Sequence, residues 1–362
     1  MLEEIRLLEE KGGRIFADRS KVKSNGRHNG NSVSDMDRRK FIRIGAGAVA
    51  AGAMSGSMVM RAAEISAGRK ASGGIEAGYS KTTYSSESGE AGEGDLVVRF
   101  LGTGAADWDG VDERGGLRRL SSIFIDKRIL IDFTPSDADM LPRGFKKPDA
   151  VFYTHSHSDH YNARAAIETL NSGVVYVGDS WVERAKADFA AAASELGKPV
   201  PEVIGLAIGQ KTRCGDITIT ALPGNHATKD DNEQTLIYLI EKGSVRVLYA
   251  TDTGGIPVRA ARLVGIDAHI ADGKPITGLI MEATMGIDHD EDFRIYTHSS
   301  VGTVLRTAHV LQKTGRLNAP QGQPVYLTHL ARTLNGTQAQ LDASLPSPLR
   351  AAYDGLEVIF RG

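Results

Sequence analysis

The chain has 362 residues, 41% of them hydrophobic and 24% charged, enough apolar material for one large domain or two small ones. Its single cysteine, Cys214, excludes an intramolecular disulfide and any cysteine-rich zinc site. The net charge of −2 is unevenly spread: residues 1–70 carry 14 Lys and Arg against 8 Asp and Glu, leaving 29 against 37 beyond them, so a body at −8 would repel a long polyanion such as tRNA or DNA. A small anionic substrate is compatible with that balance.

Near the N-terminus, "DMDRRKFIRIG" (35–45) sets Arg38 and Arg39 just before Phe41, and an uncharged Gly- and Ala-rich run follows from Ile44 to Met60. A buried core helix is the alternative, but so much glycine makes a poor one. The pattern resembles a twin-arginine export signal, which implies the twin-arginine export machinery as a partner during targeting and a periplasmic or otherwise exported product. Residues 36–67 are then the signal segment, and Met36 is a natural start, with residues 1–35 an upstream extension. Residues 68–94, rich in Ser, Gly and Glu, lack apolar periodicity and read as a flexible linker.

From Asp95 onward short apolar runs alternate with turns, and the catalytic domain is expected to span residues 95–362. Strands are predicted at 95–102, 121–126, 128–133, 150–155 and 174–178, followed by a helix over 180–197. Further strands are predicted at 216–226, 235–243, 245–255, 278–284 and 324–331, with a helix from about 299 to 313. Several strands followed by a helix, twice over, predict an α+β four-layer αββα sandwich: two mixed β-sheets face to face with helices on the outer faces.

The polar groups that bear chemistry stand where these strands end. "THSHSDH" (154–160) packs three histidines and an aspartate into seven positions. On an extended segment His155 and His157 face one side and can grip one ion, while Asp159 and His160 can point to a second. His226 in "PGNHAT", Asp252 in "ATDTGG" and His329 in "LTHLA" follow other strands. Imidazole nitrogen and carboxylate oxygen suit Zn2+, with Mn2+ or Fe as alternatives, and a carboxylate such as Asp252 can bridge two divalent ions. Two ions so held can generate hydroxide and clamp both oxygens of a displacement. His28, His269, His289 and His309 have no supporting pattern and are read as non-ligands.

This ordered set resembles the metallo-β-lactamase-fold hydrolases over residues 95–362. The likeness implies that His155, His157 and His226 hold the first ion, that Asp159, His160 and His329 hold the second, and that Asp252 lies between them. Three more stretches resemble the branch containing ribonuclease Z and the phosphoribosyl cyclic phosphodiesterases. They are "FLGTGAA" (100–106), "MEAT" (281–284), where Met281 replaces the usual histidine, and "THSSVGTVLRTA" (297–308).

Cleavage of a phosphodiester places charge on the leaving oxygen, which needs a proton. His298 is the expected general acid, with Glu282 orienting its ring and Asp159 also helping to position the nucleophile. A helix-capping role for His298 and a purely structural role for Glu282 are the alternatives. The interval between His160 and His226 lacks the basic Gly-rich arm by which ribonuclease Z grips tRNA, so the expected substrate is a small or cyclic phosphodiester. Trp108, in the loop 107–116, could stack on a base or sugar or simply pack on its own domain. A lactonase or other ester hydrolase on the same fold and a non-catalytic metal-binding protein are the competing readings, and a homodimer is compatible with the sequence.

Overall fold

The computed structural model describes residues 90–362, apart from 109, 112–115, 146, 171–172 and 321. The segments read from sequence as an extension (1–35), an export signal (36–67) and the linker up to residue 89 lie outside the described residues. Among the described residues, no helix is long and apolar enough to cross a membrane.

Fourteen strands form two seven-stranded sheets among the described residues. The first is built from β1 (Leu96–Gly102), β2 (Ser122–Ile125), β3 (Ile129–Ile131), β4 (Ala150–Phe152), β5 (Val174–Gly178), β6 (Val203–Leu206) and β14 (Glu357–Phe360), in the order β14-β1-β2-β3-β4-β5-β6. The second contains β7 (Lys211–Cys214), β8 (Ile217–Pro223), β9 (Leu236–Lys242), β10 (Val245–Ala250), β11 (Gly278–Glu282), β12 (Val325–Thr328) and β13 (Leu349–Ala351), in the order β13-β12-β11-β10-β9-β8-β7. Both are mixed: β3 to β6 and β10 to β13 run parallel, and the remaining pairs are antiparallel, including β1 with β14 from opposite ends of the domain.

Alternation of side chains along each strand divides the apolar residues between three clusters. Val98, Phe100, Ile123 and Phe152 from the first sheet meet Ile219, Tyr238, Val247 and Tyr249 from the second in the layer between them. On the first sheet's outer face, Leu130, Val151 and Val177 pack with Ala166 of α1 (Ala163–Thr169) and Phe189 of α2 (Val182–Leu196). On the second sheet's outer face, Leu239, Leu248, Leu279 and Met281 pack with α3 (Val258–Val264), α4 (Val301–Lys313) and α5 (Gln338–Ser344). The architecture is the expected αββα sandwich.

Two local expectations change. β4 stops at Phe152, so the histidine cluster lies in a loop and not on an extended strand. Short elements of weak periodicity, namely β6, β7, β13, β14, α1, α3 and α5, join those read from sequence. Neighbours in the sheets recruit them, because a strand of three or four residues has too few alternations to reveal itself alone.

Candidate metal centre

The parallel strands aim their C-terminal ends at one rim, and the site is assembled from the loops that follow β3, β4, β8, β10, β11 and β12. His155 Nε2 lies 2.9 Å from His157 Nδ1, which in turn lies 3.3 Å from His226 Nε2. The fourth corner is Asp252 Oδ2, 3.3 Å from His155 Nε2. A second group shares that oxygen: His160 Nε2 stands 2.8 Å from Asp252 Oδ2, 3.3 Å from Asp159 Oδ2 and 3.2 Å from His329 Nε2. All seven sequence-predicted ligands therefore converge, in two groups joined through Asp252. His157 differs from its partners by presenting Nδ1.

Hydrogen bonds around the rings show which nitrogens point inward as bare lone pairs. His226 Nδ1 donates to the Thr297 carbonyl at 3.1 Å, so its Nε2 carries no proton in the neutral ring. His155 Nδ1 donates to Thr154 Oγ1 at 3.0 Å, and that hydroxyl donates to buried Asp132 at 2.9 Å. His160 Nδ1 donates directly to Asp132 Oδ2 at 2.8 Å. His329 Nδ1 donates to Thr284 Oγ1 at 2.7 Å, and Thr284 donates to Glu282. The site thus has two matching relays, Asp132–Thr154–His155 and Glu282–Thr284–His329, each a carboxylate acting on a ring through a threonine.

This donor set fits divalent cations. Inward lone pairs about 3 Å apart repel unless a positive charge lies between them, and tetrahedral zinc with bonds of 2.0–2.1 Å spaces its ligands at about 3.3 Å. Asp252 Oδ1 is buried and accepts no aligned hydrogen bond, although His329 Nδ1 and His298 Nδ1 lie 3.1 and 3.4 Å away. Burial, then the charge of His160, pushes the His155 pKa well below the usual imidazole range, leaving it a neutral ligand. Burial also opposes charge on His160, but Asp159, Asp252 and Asp132 outweigh it and hold that imidazole well above its usual value. A bound cation would take the place of that proton.

Backbone strain gathers at the same point. Asp132, Asp252 and His329 adopt φ of 54°, 43° and 51°, in the left-handed region that ordinary residues avoid. Each sits just past a strand end, where the chain must turn sharply to aim a side chain across the rim. The "FLGTGAA" stretch supports one of these turns. Thr103 O accepts from Leu330 N–H at 2.9 Å, and Ala105 N–H donates to Leu330 O at 3.2 Å, which fastens the residue after His329. A Cβ on Gly102 would lie 1.9 Å from the Leu120 carbonyl oxygen, so this crossing requires glycine.

Glu282 is fully buried and His298 half-buried. Glu282 Oε1 accepts from Thr253 N–H at 2.6 Å and lies 3.3 Å from His298 Nδ1, so it ties the Asp252 loop to both His298 and His329. Burial alone would lower the His298 pKa, but Glu282 and then Asp252 and Asp159 push it up to about 9. Met281 packs in the outer apolar cluster, on the opposite side of β11 from Glu282, so the departure from histidine there leaves the rim unchanged. Trp108 Nε1 donates to the Leu330 carbonyl at 2.7 Å, which fastens it to its own domain.

Sequence reasoning missed Asp132, Glu233 and the roles of Thr154 and Thr284. Asp132 stands at a strand end like the ligands, a signal that was available. Glu233 accepts from Ser156 N–H and Oγ, both at 2.7 Å, and from Arg184, clamping the loop between His155 and His157. It lies in an ordinary polar loop that offers no signal. Replacement of Asp132 by alanine should weaken metal binding roughly 10- to 100-fold in the pocket containing His160. Competition with a chromogenic chelator measures this, and an unchanged affinity would refute the positioning role.

Comparison with known proteins places this geometry. The family model described as "Beta-lactamase superfamily domain" matches residues 127–330. Among solved structures, the metallo-beta-lactamase fold protein YhfI from Bacillus subtilis is similar at 17% identity and a TM-score of 0.52, covering 73% of this chain and 99% of that one. Human tRNase Z, short form, is similar at 13% identity and a TM-score of 0.51, covering 74% of this chain and 100% of the other. Zn(2+)-bound PqqB from Methylobacterium extorquens gives 16% identity and a TM-score of 0.50, covering 72% and 99%. No curated protein sequence matches the chain. With the matched span covering more than half its length and the histidine and aspartate groups on the rim of paired seven-stranded sheets, the chain belongs to the beta-lactamase superfamily domain family and has the metallo-β-lactamase fold.

Proposed function

We propose that the protein is an exported, dinuclear metal-dependent phosphodiesterase acting on a small or cyclic phosphodiester. The observation that carries this reading is His298, held beside the two metal pockets with Nδ1 turned to Glu282 and Asp252 and with its ring 18% exposed. Two divalent cations, Zn2+ foremost, would supply a water-derived nucleophile at neutral pH and offset charge on the non-bridging oxygens. His155, His157 and His226 would hold one cation and Asp159, His160 and His329 the other, with Asp252 joining the pockets. Glu282 and Asp252 keep His298 oriented and cationic, so that its other nitrogen, Nε2, can protonate the departing oxygen. Ester or lactone opening would use the same ligands and also expels an alkoxide; what favours the phosphodiester reading is that the stretches carrying Glu282 and His298, "MEAT" and "THSSVGTVLRTA", resemble those of the phosphodiesterase branch.

The RRKF leader supports an exported location, and the acidic body supports a small anionic substrate over tRNA or DNA. The test is a panel of phosphodiester, phosphomonoester, lactone and sulfate-ester substrates on metal-loaded protein, with metal counted per chain. Phosphodiester turnover with two ions per chain is expected. Lactone opening without phosphodiester cleavage would sink the proposal.

A further inference from the structure

In the segment that leads into His298 the chain displays two large apolar rings that its own fold does not bury. Phe293 is 81% exposed and Tyr296 is 76% exposed, the two most exposed of the large hydrophobic side chains described. They sit three apart in the 3-10 helix Phe293–Tyr296, whose three-residue turn places side chains at that spacing on the same side. The helix is pinned to the metal-site loops. Thr297, next in sequence, offers its carbonyl to His226, and His298 N–H donates to the Arg294 carbonyl at 2.7 Å. The segment also packs against the loop that follows Asp252: a Cβ on Gly254 would fall 2.5 Å from the Tyr296 carbonyl. The backbone is therefore fixed to both cation pockets while the rings remain free.

The segment's cation is already neutralised. Arg294 donates to both oxygens of Asp292, at 2.9 and 2.6 Å, so the rings and not a free charge are what the helix presents. Its sequence neighbourhood contains further acid, Asp290 and Glu291, on a body of net negative charge, which disfavours an anionic lipid surface as the occupant. Apolar area of this kind next to a reacting centre is suited to a flat ring, because stacking needs an exposed aromatic face and tolerates many partners.

We infer that Phe293 and Tyr296 form a platform for a planar aromatic arm of the substrate, an aryl or nucleobase ring carried by the phosphate ester cleaved at the adjacent site. The inference deepens the phosphodiesterase reading and rests on it for the position of the phosphate. It gives the small substrate a chemical class, a ring-bearing ester and not a purely alkyl one.

Calorimetry on the metal-loaded full chain tests it with two matched pairs, adenosine 5′-monophosphate against ribose 5-phosphate and phenyl phosphate against methyl phosphate. The ring-bearing member of at least one pair is expected to bind about tenfold tighter or more, and the pair that shows the preference identifies the ring as nucleobase or simple aryl. In the double variant Phe293→Ala, Tyr296→Ala the preference should collapse toward one while the ringless affinities stay unchanged. Both side chains are mostly exposed, so the variant should fold normally.

Equal binding within both pairs, a preference that survives in the double variant, or no binding of any of the four compounds overturns the platform. So does a dimer that dissociates in the variant without any ring preference, which would assign the rings to self-association. A ring preference lost in the variant, in a protein that cleaves no phosphodiester, would uphold the platform and sink the phosphodiesterase reading. Phosphodiester turnover without ring preference would do the reverse.

Discussion

Replacement of Asp252 by alanine should empty both cation pockets at once. Its Oδ2 is the corner shared between the two groups, 3.3 Å from His155 Nε2 and 2.8 Å from His160 Nε2. The carboxylate is held well below its usual pKa: burial opposes ionisation, but His329 and then His160 overcome it. Without it the first pocket keeps only its three imidazoles, and the second loses one of its two carboxylates. Metal analysis should then find fewer than one ion per chain, against the two expected for the parent. Turnover should fall on the order of 10³-fold or more, because cation stabilisation of a transition state is worth several kcal/mol. Asp252→Asn, which keeps the shape and one oxygen, should lie between. Two ions per chain in the alanine variant would show that the pockets are independent of each other.

The second large effect is expected at His298, and it should leave metal content untouched. His298→Ala should retain two ions per chain yet lower kcat about 10²- to 10⁴-fold on a diester with an alkyl leaving group. On a p-nitrophenyl diester the loss should be much smaller, since p-nitrophenolate departs without needing a proton. That contrast separates a general acid from a residue that merely caps the helix α4. The pH profile gives a second readout. A cationic acid raised to about 9 is competent below that value and loses its proton above it, so the parent's rate should fall on the alkaline side. Cations bound beside Asp252 would draw this limb to lower pH. Glu282→Gln removes the first of the charges that raise the pKa and should move the limb lower still, while His298→Ala should abolish it. A uniform loss across leaving groups with an unchanged profile would exclude the proton-donor role.

The pattern of ligands was legible because His155, His226, Asp252 and His329 each follow a short apolar run, and His157, Asp159 and His160 crowd behind the first of them. "AVFYTH", "DITITALPGNH", "VRVLYATDTGG" and "PVYLTHLA" announce both a buried strand and the polar group near its end, and their order along the chain needs no knowledge of distances. The αββα layering followed from the same runs. The relays could not be read this way. Thr154 and Thr284 were in view within "THSHSDH" and "MEAT", but a threonine at a strand end has many ordinary roles. Its partnership with a carboxylate appears only when Asp132 lies beneath Thr154 or Glu282 beneath Thr284. Glu233 was hidden more deeply, since 77 residues separate it from Ser156, the group it holds.

Local periodicity and residue chemistry determined the layers, the rim and the identity of the seven ligand candidates, because each of those is encoded within a few consecutive residues. Tertiary structure decided which nitrogen each ring presents, since that depends on hydrogen bonds made by the opposite nitrogen. His157 offers Nδ1 and His226 offers Nε2 to one point, although nothing in either segment distinguishes them. It also decided that one oxygen of Asp252 belongs to both pockets, that Trp108 is fastened to Leu330, and that Phe293 and Tyr296 stay exposed in the segment that leads into His298. Each of these depends on loops from distant strands meeting at one rim, and the free energy that brings them there comes from the three apolar clusters and not from the site itself.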